Sequence, residues 1–418
     1  MSLTYEQFLR DPSMASKQTI RDPLWKDITI PSFLHDVIQS PSFVKLGRIK
    51  QLGVAFHLYP GAVHTRLNHS LGVFYLAKEM IESILRRACD EGRFTLKGVH
   101  HFLAAVLLHD IGHFPFTHSL KELPLLSHEE LATHLLDRDK ILHDALIASD
   151  LDPTLIKIII DESLPTDDPE LLLYRSMLSG ALDPDKLDYL NRDAYFAGVP
   201  YGVQDVSYIT EHLLIFDGAL AINASALGSV EHLLFSKYLM YRNVYWHRAT
   251  RSATAMIKRY LYENLSDGKI QEEELYDLDD ESFFLLGSEE RPLSQLIAAV
   301  RSNQLYTPVV EEAFDKEKSL HQKAVSLTHR RALEEHIETT CGLGRGSLVI
   351  DIPEHVSFES DIPVVKDGTY LGTFERVDPL FNRSRALEFT SSLRMVRIFA
   401  ESRCDHQAIQ KSWESLHE

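Results

Sequence analysis

Apolar residues recur at three- and four-residue spacing from residue 33 to about residue 265, and this pattern restricts the fold more than any other feature. The segments NHSLGVFYLAKEMIESILRRA (68–88) and SVEHLLFSKYLMYRNVYWHRATRSATAMIKRYLYENL (229–265) show it most clearly. This spacing puts the apolar side chains on one face of an α-helix, where they can pack into a core. We therefore expect a mainly α protein with a helical bundle at its centre.

The character of the sequence changes after residue 266. QEEELYDLDDESF (271–283) is acidic and is expected to be a connection with one helix. β-branched, alternating residues then occur in SLVIDIP (347–353) and, around an Asp-Gly turn, in HVSFESDIPVVKDGTYLGTFERV (355–377). This pattern is typical of β-strands. With a short strand or hairpin expected at 20–31, the predicted organisation is a polar N-terminal lead-in (1–18), a helical domain (19–265) and a smaller C-terminal α+β region (266–418).

The charge of the chain limits its partners. Its net charge of −18 repels phosphate backbones, so bulk nucleic-acid binding is disfavoured. The three cysteines lie far apart without a CxxC motif, which argues against a disulfide framework or a thiolate zinc site. No apolar run approaches the roughly 18 residues of a membrane span, and the N-terminus lacks a secretory signal. We expect a cytoplasmic protein that holds any small anion in a locally cationic pocket.

Three groups of polar residues interrupt these apolar helices. They are His64, Arg66 and His69; His109, Asp110, His113 and His118; and Asp183, Asp185, Asp188 and Asp193. One such residue alone is most often a helix cap or part of a solvated face. Together they supply imidazoles and carboxylates that are costly to bury unless something binds them. A mixed nitrogen and oxygen set suits one six-coordinate divalent metal (Mn, Fe, Co, Ni or Mg, with Zn as a further candidate) and suits tetrahedral structural zinc poorly.

Six sequence blocks then identify a family. They are RIKQLG (48–53), YPGAVHTRLNHSLGV (59–73), HDIGHFPFTH (109–118), SHEE (127–130), DPDKLDYLNRDAYFAG (183–198) and YWHR (245–248). In this order they resemble the HD-domain metal-dependent phosphohydrolases, and among them the deoxynucleoside triphosphate triphosphohydrolases. The resemblance runs from residue 20 to about residue 265. It implies an HD-domain helical bundle as the core of the fold.

The resemblance also implies roles for individual residues. The metal ligands would be His69, His109, Asp110 and Asp185. The metal would polarise the α-phosphate and help to activate water, and a second Mg²⁺ could accompany the substrate phosphates. His118 would protonate the leaving ribose oxygen, with His128 as a second active-site histidine. Because Lys121 stands where the family has an acid, we assign the orientation of His118 to Glu122, four residues further on.

The substrate contacts implied by the resemblance divide into two sets. Arg66, His113, Lys186 and Lys237 would bind the triphosphate. Gln51 and Asp193 would bind the sugar 3′-hydroxyl, and Leu52, Tyr189 and Tyr245 would line the sugar. Leu52 and Tyr245 would crowd a 2′-hydroxyl, which favours deoxyribose. For the two tyrosines, simple helix packing remains a serious alternative.

The expected function is hydrolysis of a dNTP to deoxynucleoside and tripolyphosphate, similar to a dGTPase. Two alternatives stay open: the same metal site acting on another phosphoester (a monophosphate, cyclic nucleotide or pyrophosphate), or a nucleotide sensor without turnover. The presence of His118 and His128 argues against a sensor, because binding alone needs no proton donor.

Regulation is expected to differ from that of relatives activated by guanine nucleotides. Where those relatives have Asp, Gln and Arg before KQLG, this chain has Gln39, Val44 and Gly47. Gln39 offers one acceptor oxygen, and Val44 and Gly47 offer no hydrogen-bonding side chain. Each unmatched buried polar group costs about 1–3 kcal/mol. We expect a constitutive homo-oligomer, a dimer or a tetramer, that needs no GTP at this pocket.

Overall fold

The computed structural model describes residues 2–358 and 360–416, and these residues form a mainly α protein, as predicted. The helices are α1 (Tyr5–Arg10), α2 (Pro41–Lys45), α3 (Arg66–Arg86), α4 (Leu96–Leu108), α5 (His128–Arg138), α6 (Lys140–Ala148), α7 (Pro153–Ile160), α8 (Pro169–Ser179), α9 (Pro184–Ala197), α10 (Val206–His212), α11 (Leu227–Met240), α12 (Arg248–Ser266), α13 (Glu273–Tyr276), α14 (Asp280–Gly287), α15 (Ser294–Arg301), α16 (Ser319–Val325), α17 (Leu327–Thr340), α18 (Phe374–Val377), α19 (Arg383–Leu393) and α20 (His406–Ser415). The strands are β1 (Ser16–Asp22), β2 (Lys26–Pro31), β3 (Leu213–Phe216), β4 (Ala219–Asn223), β5 (Thr307–Ala313), β6 (Leu348–Asp351), β7 (Pro363–Lys366), β8 (Thr369–Thr373) and β9 (Met395–Ala400). Among these residues, no helix is both long and apolar enough to cross a bilayer.

Helices α3, α4 and α9 position the site. Helix α4 is the central one, because its residues 102–108 are all fully buried. It begins at a Thr95 cap, whose hydroxyl accepts a hydrogen bond from the Gly98 amide, and it ends immediately before His109. Helix α9 begins at Pro184 behind an Asp183 cap that accepts from the Lys186 amide at 2.6 Å. The polar residues therefore lie at helix ends, where the chain can turn them toward one point.

The strands form three small sheets. Of the strand or hairpin expected at 20–31, the hairpin is present as the antiparallel pair β1–β2, and Asp367 and Gly368 form the expected turn between β7 and β8. The order of the second sheet is β3-β4-β7-β8, in which β4 and β7 run parallel. This pairing connects the helical part of the chain directly to the C-terminal region.

Three local expectations were wrong. The helical pattern assigned to 33–265 is interrupted by β3 and β4, whose turn at Asp217-Gly218 has positive φ angles of 51° and 76°. The acidic connection contains α13 and α14 instead of one helix, and residues 355–358 form no strand.

The N-terminal segment is more than a polar lead-in. Helix α1 contributes Phe8, which is 1% exposed, to the main core. The amide of Leu3 donates to the carbonyl of Phe94 at 2.8 Å. The segment therefore packs against the helical body.

Candidate metal centre and catalytic cavity

One cavity of about 420 Å³ collects most of the residues selected from the sequence. Its lining includes the four predicted metal ligands together with Arg66, His118 and His128 on one side. The predicted sugar contacts Gln51, Leu52, Tyr189, Asp193 and Tyr245 also line it. Four predicted residues are not part of the lining: His113, Glu122, Lys186 and Lys237.

The four predicted metal ligands converge from α3, α9 and the end of α4. The Nε2 atom of His69 lies 2.9 Å from Asp185 Oδ1 and 3.9 Å from Asp110 Oδ2. The Nε2 atom of His109 lies 3.4 Å from Asp110 Oδ1. The ligand atoms of His69, His109 and Asp110 all lie within 4.8 Å of one another, so one ion could bind all three.

The histidine tautomers fit a divalent metal at this point. The Nδ1 atom of His109 donates to the Val106 carbonyl at 2.8 Å, and its buried Nε2 has no hydrogen-bond partner among the described residues. The Nδ1 atom of His69 donates to Asp188 Oδ2 at 2.8 Å. In each ring, therefore, the bond at Nδ1 leaves the Nε2 lone pair for a metal, which is the arrangement that histidine ligands usually adopt.

Asp188 orients His69 and was not given a role from the sequence. Its carboxylate accepts from Arg192 Nε at 2.8 Å and from Trp25 Nε1 at 2.5 Å, and it is fully buried. Burial opposes its negative charge, but Arg192 and His69 outweigh this and lower its pKa. The spacing of Asp188 and Arg192, four residues apart on a predicted helix, was the available signal.

The charges of the ligand set suit a cation. Burial disfavours the charged form of His69, yet Asp185 and Asp188 raise its pKa to about 10. His113, His109 and Arg66 hold the pKa of Asp110 well below its usual range, against the effect of burial. The carboxylates around His69 therefore favour positive charge at this point, which a divalent metal would supply.

Three histidines form a second cluster beside these ligands. The Nε2 atoms of His113 and His118 are 3.1 Å apart, and the His113 ring centroid is 4.1 Å from that of His128. Their ligand atoms also lie close enough to hold an ion. Burial and the nearby Arg66 lower the pKa of His113 well below the ordinary value, and burial lowers that of His128 to about 4. His113 and His128 are therefore uncharged at neutral pH, whereas His118 is the solvent-exposed member of the cluster.

The predicted role of Glu122 requires correction. Its carboxylate binds Arg330 Nη2 at 2.8 Å and forms an ion pair with Lys258, and no described contact joins it to His118. The prediction assumed helical geometry, in which residues four apart share a face. The helical turn at His118 is a single 3₁₀ turn (Thr117–Ser119) that ends before Glu122, so the side chain points elsewhere.

The predicted phosphate contacts are only partly assembled. Arg66 lines the cavity, donates to Asp110 Oδ2 at 2.8 Å and has a buried Nε without a described partner. Lys186 Nζ instead donates to the Gly180 carbonyl at 2.9 Å and pairs with Asp183. Lys237 Nζ donates to the Ser357 carbonyl at 2.7 Å.

The predicted sugar contacts lie together. The Tyr245 hydroxyl donates to Asp193 Oδ2 at 2.7 Å, and its ring centroid is 6.4 Å from that of Tyr189. His64, which had no predicted role, donates from Nε2 to Asp193 Oδ1 at 2.8 Å. The Oε1 atom of Gln51 is buried without a described partner, so it can accept a bond from a ligand.

The C-terminal region also supplies part of the wall. Glu354, His355 and Val356, which follow β6, line the cavity with Lys121 and Arg251. Sequence reasoning missed the first three because an irregular segment has no periodicity that could indicate its neighbours.

Two family models match consecutive segments of the chain. The HD domain model matches residues 66–193, and the model described as HD associated region matches residues 204–406. The chain is 31% identical over 259 residues to YwfO of Bacillus subtilis, covering 60% of this chain and 56% of that protein. It is 26% identical over 287 residues to the human deoxynucleoside triphosphate triphosphohydrolase SAMHD1, covering 61% of this chain and 46% of that protein. The matches thus span about half the length of these relatives.

Solved structures show the same fold. A phosphohydrolase from Bacteroides thetaiotaomicron matches with a TM-score of 0.72 at 24% identity, covering 92% of this chain and 99% of that chain. A hypothetical protein from Aquifex aeolicus matches with a TM-score of 0.73 at 22% identity, covering 96% and 99%. The chain therefore belongs among the proteins in which an HD domain is followed by an HD-associated region.

Proposed function

We propose that this protein is a divalent-metal-dependent dNTP triphosphohydrolase, similar to a dGTPase, that releases deoxynucleoside and tripolyphosphate. One observation carries the proposal: the predicted metal ligands, two histidines (His118 and His128) and the Leu52–Tyr245 wall line a single cavity. The similarity to the human triphosphohydrolase supports the choice of substrate.

Different residues of the chain would bind the metal, donate the proton and hold the phosphate. A divalent ion held by His69, His109, Asp110 and Asp185 would polarise the α-phosphate and activate water. Water attacks the α-phosphorus, the bond from phosphorus to the ribose 5′-oxygen breaks, and His118 gives that oxygen a proton. The anionic substrate itself favours protonation of His118, because a nearby negative charge raises a histidine pKa. Arg66 would hold a phosphate oxygen through its free donors.

The sugar wall would select deoxyribose. Tyr245 is fixed by its bond to Asp193, so its ring cannot easily move away from a 2′-hydroxyl. We expect dNTPs to be preferred over NTPs and Tyr245→Ala to relax the preference. Steric discrimination of this kind is commonly about 1–3 kcal/mol, or roughly 10–200-fold in kcat/KM.

The test is hydrolysis of a panel of dNTPs, NTPs and monophosphates with Mn²⁺, Mg²⁺, Co²⁺ and Fe²⁺ in turn, with ³¹P NMR of the products. The proposal expects tripolyphosphate from dNTPs. Equal rates on dGTP and GTP, or orthophosphate as the first product, would reject it.

A second candidate is hydrolysis of a smaller phosphoester, such as a nucleoside monophosphate. The engagement of Lys186 and Lys237 outside the cavity favours it, because a monophosphate needs fewer cations than a triphosphate. The same product analysis separates the two candidates.

A further part of the proposal concerns assembly. We expect a cytoplasmic, constitutive homo-oligomer (a dimer or a tetramer) without a GTP requirement. Val44 has 45% of its surface exposed and Gln39 is also exposed, so this surface offers an apolar side chain where a nucleotide would need polar ones.

A further inference from the structure

We infer that Arg330, in the HD-associated region, is a positioning residue that fixes the loop carrying His118 by binding Glu122. The inference assigns a task to the C-terminal region. It rests on the proposed function only in taking His118 as the proton donor.

The contact between Arg330 and Glu122 is a bidentate ion pair. Arg330 Nη2 lies 2.8 Å from Glu122 Oε1 and Nη1 lies 3.3 Å from Oε2, while Lys258 pairs with the same carboxylate. Two parallel bonds from a planar guanidinium fix direction as well as distance. The Glu122 carboxylate is therefore bound to α17 through Arg330 and to α12 through Lys258.

The guanidinium is itself held in place. Its Nε atom donates to the Ala324 carbonyl at 2.8 Å, and Nη2 also donates to the Val325 carbonyl at 3.0 Å, both at the end of α16. The side chain of Arg330 is 4% exposed and that of Glu122 is 16% exposed. Water can therefore replace little of the interaction, and loss of Arg330 leaves the Glu122 carboxylate with Lys258 as its remaining cationic partner.

The loop needs such a support because little regular structure holds it. Residues 109–127 join α4 to α5 with only the 3₁₀ turn at His118, and Phe116 has a left-handed φ of 65°. Leu120 and Leu123 are buried and anchor the loop by packing. Packing is non-directional, so it sets the depth of the loop, whereas the ion pair sets its orientation.

Arg331 provides a matched control. It is the next residue on α17 and is also buried, but it pairs with Glu263 at 3.3 Å and Glu335 at 2.6 Å, away from the loop. Arg330→Gln and Arg331→Gln both remove a buried charge, and only the first removes a contact with Glu122.

The experiment combines hydrogen exchange of the peptide covering 114–125 with kinetics on whichever phosphoester the wild-type protein hydrolyses. In Arg330→Gln we expect loop exchange to rise and kcat to fall, each about 10-fold or more, with KM within about 2-fold. Arg331→Gln should change neither. Glu122→Gln should match Arg330→Gln, the double variant should be no worse than either, and Arg330→Lys should be intermediate.

Equal loop exchange and equal kcat in Arg330→Gln and Arg331→Gln would overturn the inference, as would additive losses in the double variant. If Arg330→Gln does not fold, Arg330→Lys and Glu122→Gln carry the same comparison. The exchange measurement needs no substrate. A wild-type protein that releases no tripolyphosphate, with the exchange contrast intact, would therefore reject the proposed function and leave the positioning role supported.

Discussion

The imidazole of His109 has two nitrogen atoms in different surroundings, and this difference defines its chemistry. One nitrogen is bound to a backbone carbonyl, and the other is buried without a hydrogen-bond partner among the described residues. A buried polar atom without a partner costs about 1–3 kcal/mol unless a ligand satisfies it. The same reasoning applies to Gln51 Oε1 and Arg66 Nε, which face the cavity from other elements.

The buried imidazole of His128 predicts that the free energy of unfolding falls in acid. Burial lowers the pKa of His128 to about 4, below its unfolded value of about 6.5. The unfolded chain therefore binds this proton first, and stability falls as pH drops from 6.5 toward 4. At pH 5 the contribution lost is about 2 kcal/mol. Thermal unfolding at pH 7.5 and pH 5 should show a smaller acid-induced loss in His128→Gln than in wild type.

The control for this prediction is His134→Gln, an exposed position on the same helix, which should behave like the wild-type protein. The same acid-induced loss in His128→Gln and wild type would contradict the assignment of a neutral, buried imidazole.

At the scale of elements, the close approach of α3 and α9 brings the metal ligands together. Gly72 lies on α3 where a Cβ atom would overlap the Asp188 carboxylate and the Arg192 guanidinium on α9. Both helices carry predicted metal ligands, so their separation determines whether His69 and Asp185 can share an ion. Glycine is required here by lack of space between the helices.

We expect Gly72→Ala to destabilise the protein by about 1–3 kcal/mol and to weaken metal binding, because overpacking forces the two helices apart. Gly228→Ala on α11 is the matched control, since a Cβ there has nothing within 4 Å. It should be neutral or stabilising by up to about 1 kcal/mol. Denaturant unfolding and metal titration check both changes, and equal effects at the two positions would contradict the account.

The elements that sequence reasoning missed share a physical cause. The set of His69, His109, Asp110 and Asp185 came from the resemblance of their sequence blocks to the HD-domain family, and their role as metal ligands stays a prediction. Strands β3 and β4 were missed because Asp217-Gly218 was not read as a turn, although the same Asp-Gly signal was used for β7 and β8. The partners of Glu122 depend on α17, some 200 residues later, and local spacing carries no information about such contacts.

At the scale of the whole molecule, the C-terminal region is part of the unit that forms the cavity. It adds strand β7 to the sheet of β3 and β4, contributes to the core around Met256 and Phe399, and supplies the cavity wall at Glu354. An HD domain without its associated region would therefore lack part of its site. This is a physical reason for the two matched segments to occur in one chain.

The response of the whole molecule to GTP is also expected to follow from its sequence. Because Gln39, Val44 and Gly47 offer few hydrogen-bonding groups for guanine, GTP should change neither the rate nor the oligomer mass. The measurement is dNTP hydrolysis and light-scattering mass with and without GTP. A large GTP-dependent rise in rate that disappears when Gln39 is mutated would contradict this expectation.

The most direct test of the account is the metal content and turnover of Asp185→Asn and His109→Ala beside the wild-type protein. Asp185→Asn keeps the size of the side chain and removes one anionic ligand, and His109→Ala removes one imidazole. We expect both variants to lose the bound metal and all turnover. Their circular dichroism should remain that of a helical protein. A variant with full activity and one metal ion per chain would contradict it.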